Sequence, residues 1–206
     1  VTTTYVGVDE GADKKLHGVQ RTDGADTVVQ YLYVTAEPHE STYSGAIASA
    51  GVVSLGVAND HLFQIMAGAS LRVGLRRVRV WQYGNASVTS NMRWQLRRLT
   101  TAGTGGTSMV ITAHDPADPA AGATMAHLPS SKGTEGGYFA QGNCPVLSTA
   151  TSQPGPIIDL DWTRERTKAL WIAAGTSNGI CLKNLDAVTS ATVHIWVEFV
   201  ESGITG

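Results

Sequence analysis

Residues 71–82 read LRVGLRRVRVWQ, and residues 91–100 read NMRWQLRRLT. Together they set seven arginines among valines, leucines and tryptophans, so charge and apolar bulk must be sorted onto different faces. Successive side chains of a strand point to opposite faces. In the first run Leu71, Val73 and Leu75 then share one face, with Arg72, Gly74 and Arg76 on the other. Arg77 breaks the alternation, after which Val78 and Val80 resume the apolar face opposite Arg77, Arg79 and Trp81. A doubled outward residue with the apolar face kept on both sides is what a β-bulge gives. The second run reads alike: Met92, Trp94 and Leu96 alternate with Arg93, Gln95 and Arg97, and Arg98 doubles the polar position before Leu99. Joined by the short YGNASVTS connection, the two runs read as a hairpin that gathers up to seven arginines on one sheet face.

Like charges directly opposite one another are unfavourable, so this face needs carboxylates or a partner. No acidic residue lies between Asp60 and Asp115, and the neutralising charge must come from elsewhere. Asp159 and Asp161, alternating with Ile158, Leu160 and Trp162 in IIDLDW, are one source, and Glu198 in TVHIWVEFVE is another. A neighbouring copy's acids at Asp9, Glu10, Asp13, Asp23 and Asp26 are a third. Arg72, Arg76, Arg77, Arg79, Arg93, Arg97 and Arg98, with Asp159, Asp161 and Glu198, are therefore the candidate interface residues. Nucleic acid is the obvious ligand for seven arginines, but the net charge of the chain is -2. Single-strand binding also wants aromatic rings interleaved on the charged face, and only Trp81 can be placed there from the sequence.

The rest of the chain repeats the same period. No window shows apolar residues recurring at helical spacing, whereas alternation marks strands at 27–35, 49–57, 61–67, 71–82, 91–99, 107–113, 122–128, 156–162, 168–174, 178–184 and 190–200. Turn formers such as TAGTGG, DPADPAAG, SQPGP and GTSNG separate them. The expectation is an all-β chain: an N-terminal arm over 1–47, with a short β-ribbon and the linker AEPHESTYSG, and an antiparallel jelly-roll-like β-sandwich over 48–206. A single continuous fold, with 27–35 joining a sheet, is the competing arrangement. Charged residues make up 16%, below the usual quarter, and Gly, Thr, Ser and Ala are plentiful, a surface suited to packing against neighbours. No apolar run is long enough to span a membrane, and VTTTYVGVDEGADKK lacks the basic start and apolar core of a signal peptide. Cys144 and Cys181 are too few for a disulfide framework and read as free, partly buried thiols.

The residue types that carry catalysis or bind metals have plainer roles in this sequence. His114, Asp115, Asp118 and His127 cluster in TAHDPADPAAGATMAHL, but the spacing fits no metal motif and Asp-Pro is turn chemistry. His39, Glu40 and His194 read as structural. Asp159 and Asp161 could hold two carboxylates near one another, yet salt bridging is the better use of them. There is no G-x-S-x-G elbow, and neither GTGGT nor GTEGG has the ending of a phosphate loop. The expectation is a non-enzymatic protein with no catalytic, cofactor-binding or metal residues.

The run LRRLTTAGTGGTSMVITAHDPADPAAGATMAHLPSSKGTEGG, followed by KALWIAAGTSNGICLKNLDAVTSATVHIWVEFVE, resembles uncharacterised tailed-bacteriophage virion structural proteins of the capsid-associated or decoration type. The resemblance covers roughly 61–201 and brings no catalytic residues with it. It implies a virion protein that stabilises the particle through subunit contacts. Its partners would be further copies of itself, as a trimer, and the major capsid protein or other virion proteins, rather than nucleic acid or membrane. The alternative is a receptor- or carbohydrate-binding jelly-roll head of a phage fibre or tail, with Trp81, Tyr83 and Tyr138 as stacking residues.

Overall fold

The alternation at 71–82 is realised as strand β7, and its pairing organises the molecule. A computed structural model describes residues 3–9, 15–23, 26–32, 40–47, 51–149, 155–163 and 170–203, the first three stretches as backbone. The chain divides into two units, 1–40 and 41–206. In the first, β1 (Thr3–Asp9), β2 (Lys15–Asp23) and β3 (Asp26–Leu32) form an antiparallel three-stranded sheet in sequential order. Tyr5 faces Val19 and Gln20 faces Val29 in its register.

The second unit is an antiparallel β-sandwich, and no helix occurs among the described residues. One sheet runs β10 (Val110–Ala113), β4 (Ser41–Ala46), β16 (Thr192–Ser202), β7 (Arg72–Gly84) and β13 (Ile158–Asp161), with β14 (Leu170–Ile172) also on β7 and β5 (Val53–Ser54) on β16. The other runs β12 (Glu135–Val146), β8 (Ser90–Leu99), β15 (Gly179–Asn184), β6 (His61–Met66), β11 (Thr124–His127) and β9 (Thr107–Ser108). Their inner faces meet in one core that includes Tyr43, Phe63, Leu75, Leu96, Ile172, Leu182 and Phe199. Tyr43 stacks on Phe199 with centroids 5.4 Å apart, and its hydroxyl donates to the Pro119 carbonyl at 3.0 Å.

The bulge expected in the first arginine run is present. Glu198 faces Arg77 and Phe199 faces Leu75, so Arg76 is the extra residue on β7. That insertion lets Val73 and Leu75 on one side, and Val78 and Val80 on the other, all turn inward. The corresponding reading of β8 is wrong. Its register against β15 is unbroken from Asn184–Trp94 to Gly179–Leu99. Leu99 instead lies on the outer face, in a small buried cluster with Met66 and Cys181. The shifts near that end belong to β12, between Glu135 and Ala140.

The hairpin is also corrected. β7 and β8 belong to different sheets, so the seven arginines do not share a face. The connection between them is an arch over the end of the sandwich, pinned where the buried Ala86 donates its amide to the Leu147 carbonyl at 3.0 Å. Residues 107–113, read as one strand, likewise switch sheets at the buried Met109. Ser41–Ala46, read as linker, is a sandwich strand, and β12 was not read at all. Both cysteines are free and buried, and burial pushes each thiol up to about 12.

Glycine at 142 on β12 makes room for the Trp94 indole opposite it. A Cβ there would sit 2.5 Å from the Trp94 ring. Gly142→Ala should therefore lower stability by about 1–3 kcal/mol through overpacking, read as a lower urea midpoint. An unchanged midpoint would contradict this packing.

Candidate functional site

The outer face of the first sheet answers its own arginines. β13 pairs with β7 so that Asp159 is opposite Arg79 and Asp161 opposite Arg77. Arg77 grips Asp159 with two parallel bonds, Nε to Oδ1 at 2.9 Å and Nη2 to Oδ2 at 2.7 Å. Its Nη1 lies 3.3 Å from Asp161, and Arg79 Nε lies 3.6 Å from Asp159. The Arg77 hydrogen bonds hold the Asp159 carboxyl below its ordinary value, against the opposing pull of burial. Glu198 completes the row from β16, directly opposite Arg77. Arg72 is met by an aromatic face instead: its guanidinium lies 4.4 Å from the centroid of Trp171. Trp171 can lie there because its register partner on β7 is Gly74, where a Cβ would come within 3.0 Å of the ring. Arg79 likewise sits 5.8 Å over Trp196. Arg76, at the bulge, accepts the Trp162 amide on its carbonyl at 2.9 Å.

The second sheet uses other acids. Asp186 takes two bonds from the Arg93 guanidinium, at 2.9 and 2.6 Å, and a third from its backbone amide at 2.9 Å. Those bonds, the side-chain ones foremost, lower the Asp186 carboxyl to about 2. Glu135 is a hub. Arg97 Nε lies 3.0 Å from it, Lys183 donates at 2.9 and 3.1 Å, and the fully buried His61 contacts it through Nε2 at 2.9 Å. Burial works to raise the Glu135 carboxyl, but the His61 and Lys183 bonds and the neighbouring cations carry it below its ordinary value. Arg98, on the inner side of the β8 alternation, approaches the Trp171 carbonyl at 3.4 Å and sits 5.4 Å from the Phe139 ring centroid.

Asp159 and Asp161 were thus legible from the sequence as arginine partners, whereas Asp186 and Glu135 were missed. Glu135 lies in GTEGG, whose glycines read as a loop, and Asp186 lies two residues beyond β15 in NLD. Loops close over the same outer face: the Gln64 amide and the Gly103 peptide exchange two bonds of 2.9 Å. The histidine–aspartate cluster is dispersed into structural roles. His114 bonds Ser44, Asp115 accepts from the Ala117 amide, Asp118 accepts from Ser41, and His127 is buried on β11. Among the described residues no three His, Cys, Asp or Glu side chains are grouped to hold a metal ion.

The three suggested stacking residues are not brought together. Trp81 and Tyr83 lie on β7, while Tyr138 lies on β12 of the other sheet, opposite Arg97. What joins Trp81 instead is β16: His194 is its cross-strand partner, and Tyr83 meets the His194 ring edge-on at 4.5 Å. No family model, no curated protein and no solved structure matches this chain.

Burial first, opposed by Glu135, lowers the His61 imidazole below its ordinary value. Unfolded histidine takes up its proton near pH 6.5. The contribution of neutral His61 is therefore full above that pH and lost as pH falls through the lower folded value. Glu135 adds to the loss only below its unfolded value near 4.3. The Tm of the wild type should fall between pH 7.5 and 5.5, and His61→Gln should flatten that slope. An identical slope in the variant would rule His61 out as its source.

Proposed function

We propose that this chain is a non-enzymatic virion protein of the capsid-associated or decoration type. The observation that carries the reading is the ion pairing within the chain on the sandwich's broad faces. Arg77, Arg79, Arg93 and Arg97 all meet carboxylates of their own chain. Faces that pair these arginines within the chain need no exchange of charge with neighbouring subunits, and stranding unpaired charge in a contact is costly. Strand order adds support for a jelly roll: β4–β16–β7–β13 in one sheet and β6–β15–β8–β12 in the other, with β6, β7 and β8 alternating between sheets.

The assembly we propose is a homotrimer bound to the major capsid protein. Its contacts would run through the uncharged, small-residue surface, because exchange of arginine and carboxylate between subunits is not needed to neutralise either face. The separate unit at 1–40 would supply attachment to the particle. Washed particles should carry the full chain at a fixed copy number, and a chain lacking 1–40, which keeps the whole sandwich core, should fold but fail to attach. A chain absent from washed particles would contradict the proposal, and normal attachment of the truncated form would remove the role given to 1–40.

A further inference from the structure

We infer that the outer face of the first sheet, where Trp81 and Tyr83 of β7 meet His194 and Trp196 of β16, is a platform for a neutral carbohydrate. Alternation places His194, Trp196 and Glu198 outward on β16, and the register sets His194 beside Trp81 and Trp196 beside Arg79. Aromatic rings thus occupy two successive outward rows, about 7 Å apart along the strands. Tyr83 stands 64% exposed against the His194 ring, at the open end of the row. At the other end Arg79 and Asp159 have side chains 31% and 33% exposed, offering guanidinium donors and carboxylate oxygens beside the rings. Flat apolar faces with planar polar groups at their edge suit a sugar ring, whose C–H faces pack on the aromatics while its hydroxyls meet the donors and acceptors.

Charge selects among ligands. On this face Arg72, Arg76, Arg77 and Arg79 stand against Asp159, Asp161 and Glu198, and the arginines nearest the rings, Arg77 and Arg79, are paired with Asp159 and Asp161. A phosphate backbone gains its affinity from unspent positive charge, which these paired arginines do not offer. A small neutral ligand fits this pairing. The platform lies wholly on the sandwich, so it stands or falls apart from particle attachment by the first unit.

The test is a microarray of neutral hexose and N-acetylhexosamine oligosaccharides, probed with the full chain and followed by titration of the best oligosaccharide. Binding should persist between about 0.1 and 0.5 M NaCl, since no counterions are released. Tyr83→Ala and Trp81→Ala should each weaken it by about tenfold or more. Tyr83→Ala, which removes an exposed ring, should keep the wild-type unfolding midpoint, and Arg93→Ala on the other sheet should leave binding intact. The inference is overturned by an array without signal, by binding indifferent to both aromatic substitutions, or by affinity that collapses with salt. It is equally overturned if sedimentation shows a dimer that Tyr83→Ala dissolves, since the face is then a contact between copies of this chain.

Discussion

Strand β7 lies between β16 and the β13–β14 pair, and its outward arginines must find negative charge within the width of one sheet. The register of β13 supplies it, setting Asp161 opposite Arg77 and Asp159 opposite Arg79. A slip of one residue would send every side chain of a strand to the wrong face, burying charge and exposing the valines. The ion pairs and the apolar alternation therefore specify the same register. The extra residue at Arg76 is what lets both hold from Val73 to Val80, because Leu75 and Val78 turn inward on either side of it. At Arg72, which pairs with no carboxylate among the described residues, a tryptophan laid over Gly74 takes that place.

The second sheet solves the same problem with a hub rather than a ladder. Glu135 gathers Arg97, Lys183 and His61 from β8, β15 and β6, and so ties the start of the edge strand β12 to the middle of the sheet. The cluster is more deeply buried than the Arg77–Asp159 pair, and one of its members is a buried histidine, which makes this face sensitive to mild acid. The loops around Gly103 and Ser131, bridged at Thr104, close over the adjoining Met66, Leu99 and Cys181. Arg77 and Arg79 on one broad face, and Arg93, Arg97 and Lys183 on the other, thus meet carboxylates of their own chain.

Period-two alternation made most sandwich strands legible, along with the bulge in β7 and the pairing role of Asp159 and Asp161. Alternation describes one strand at a time, however, and says nothing of which strand lies beside it. YGNASVTS suits a hairpin turn and an arch equally, and only the shared core, reached by β7 and β8 from opposite sides, decides between them. β12 escaped notice because Gly136, Gly137, Gly142 and Pro145 read as loop, residues tolerated there because the strand is an edge and is bulged. Leu99 looked inward because every other leucine of its run does, and nothing local signalled a second apolar cluster outside. The aromatic platform was hidden for the same reason: Trp81 and Tyr83 are distant in sequence from His194 and Trp196, and Tyr138 matched them only in type.

The most direct measurement is a double-mutant cycle on Arg77 and Asp159, using Arg77→Ala, Asp159→Ala and the double variant in urea unfolding. Their side chains are 15% and 33% exposed, so solvent screens the pair in part. A bidentate, partly screened pair should give a coupling energy of about 1 kcal/mol, smaller at high salt. Coupling indistinguishable from zero at low salt would mean that these arginines are not held by their own chain's carboxylates, and the charge-balanced sandwich would have to be abandoned.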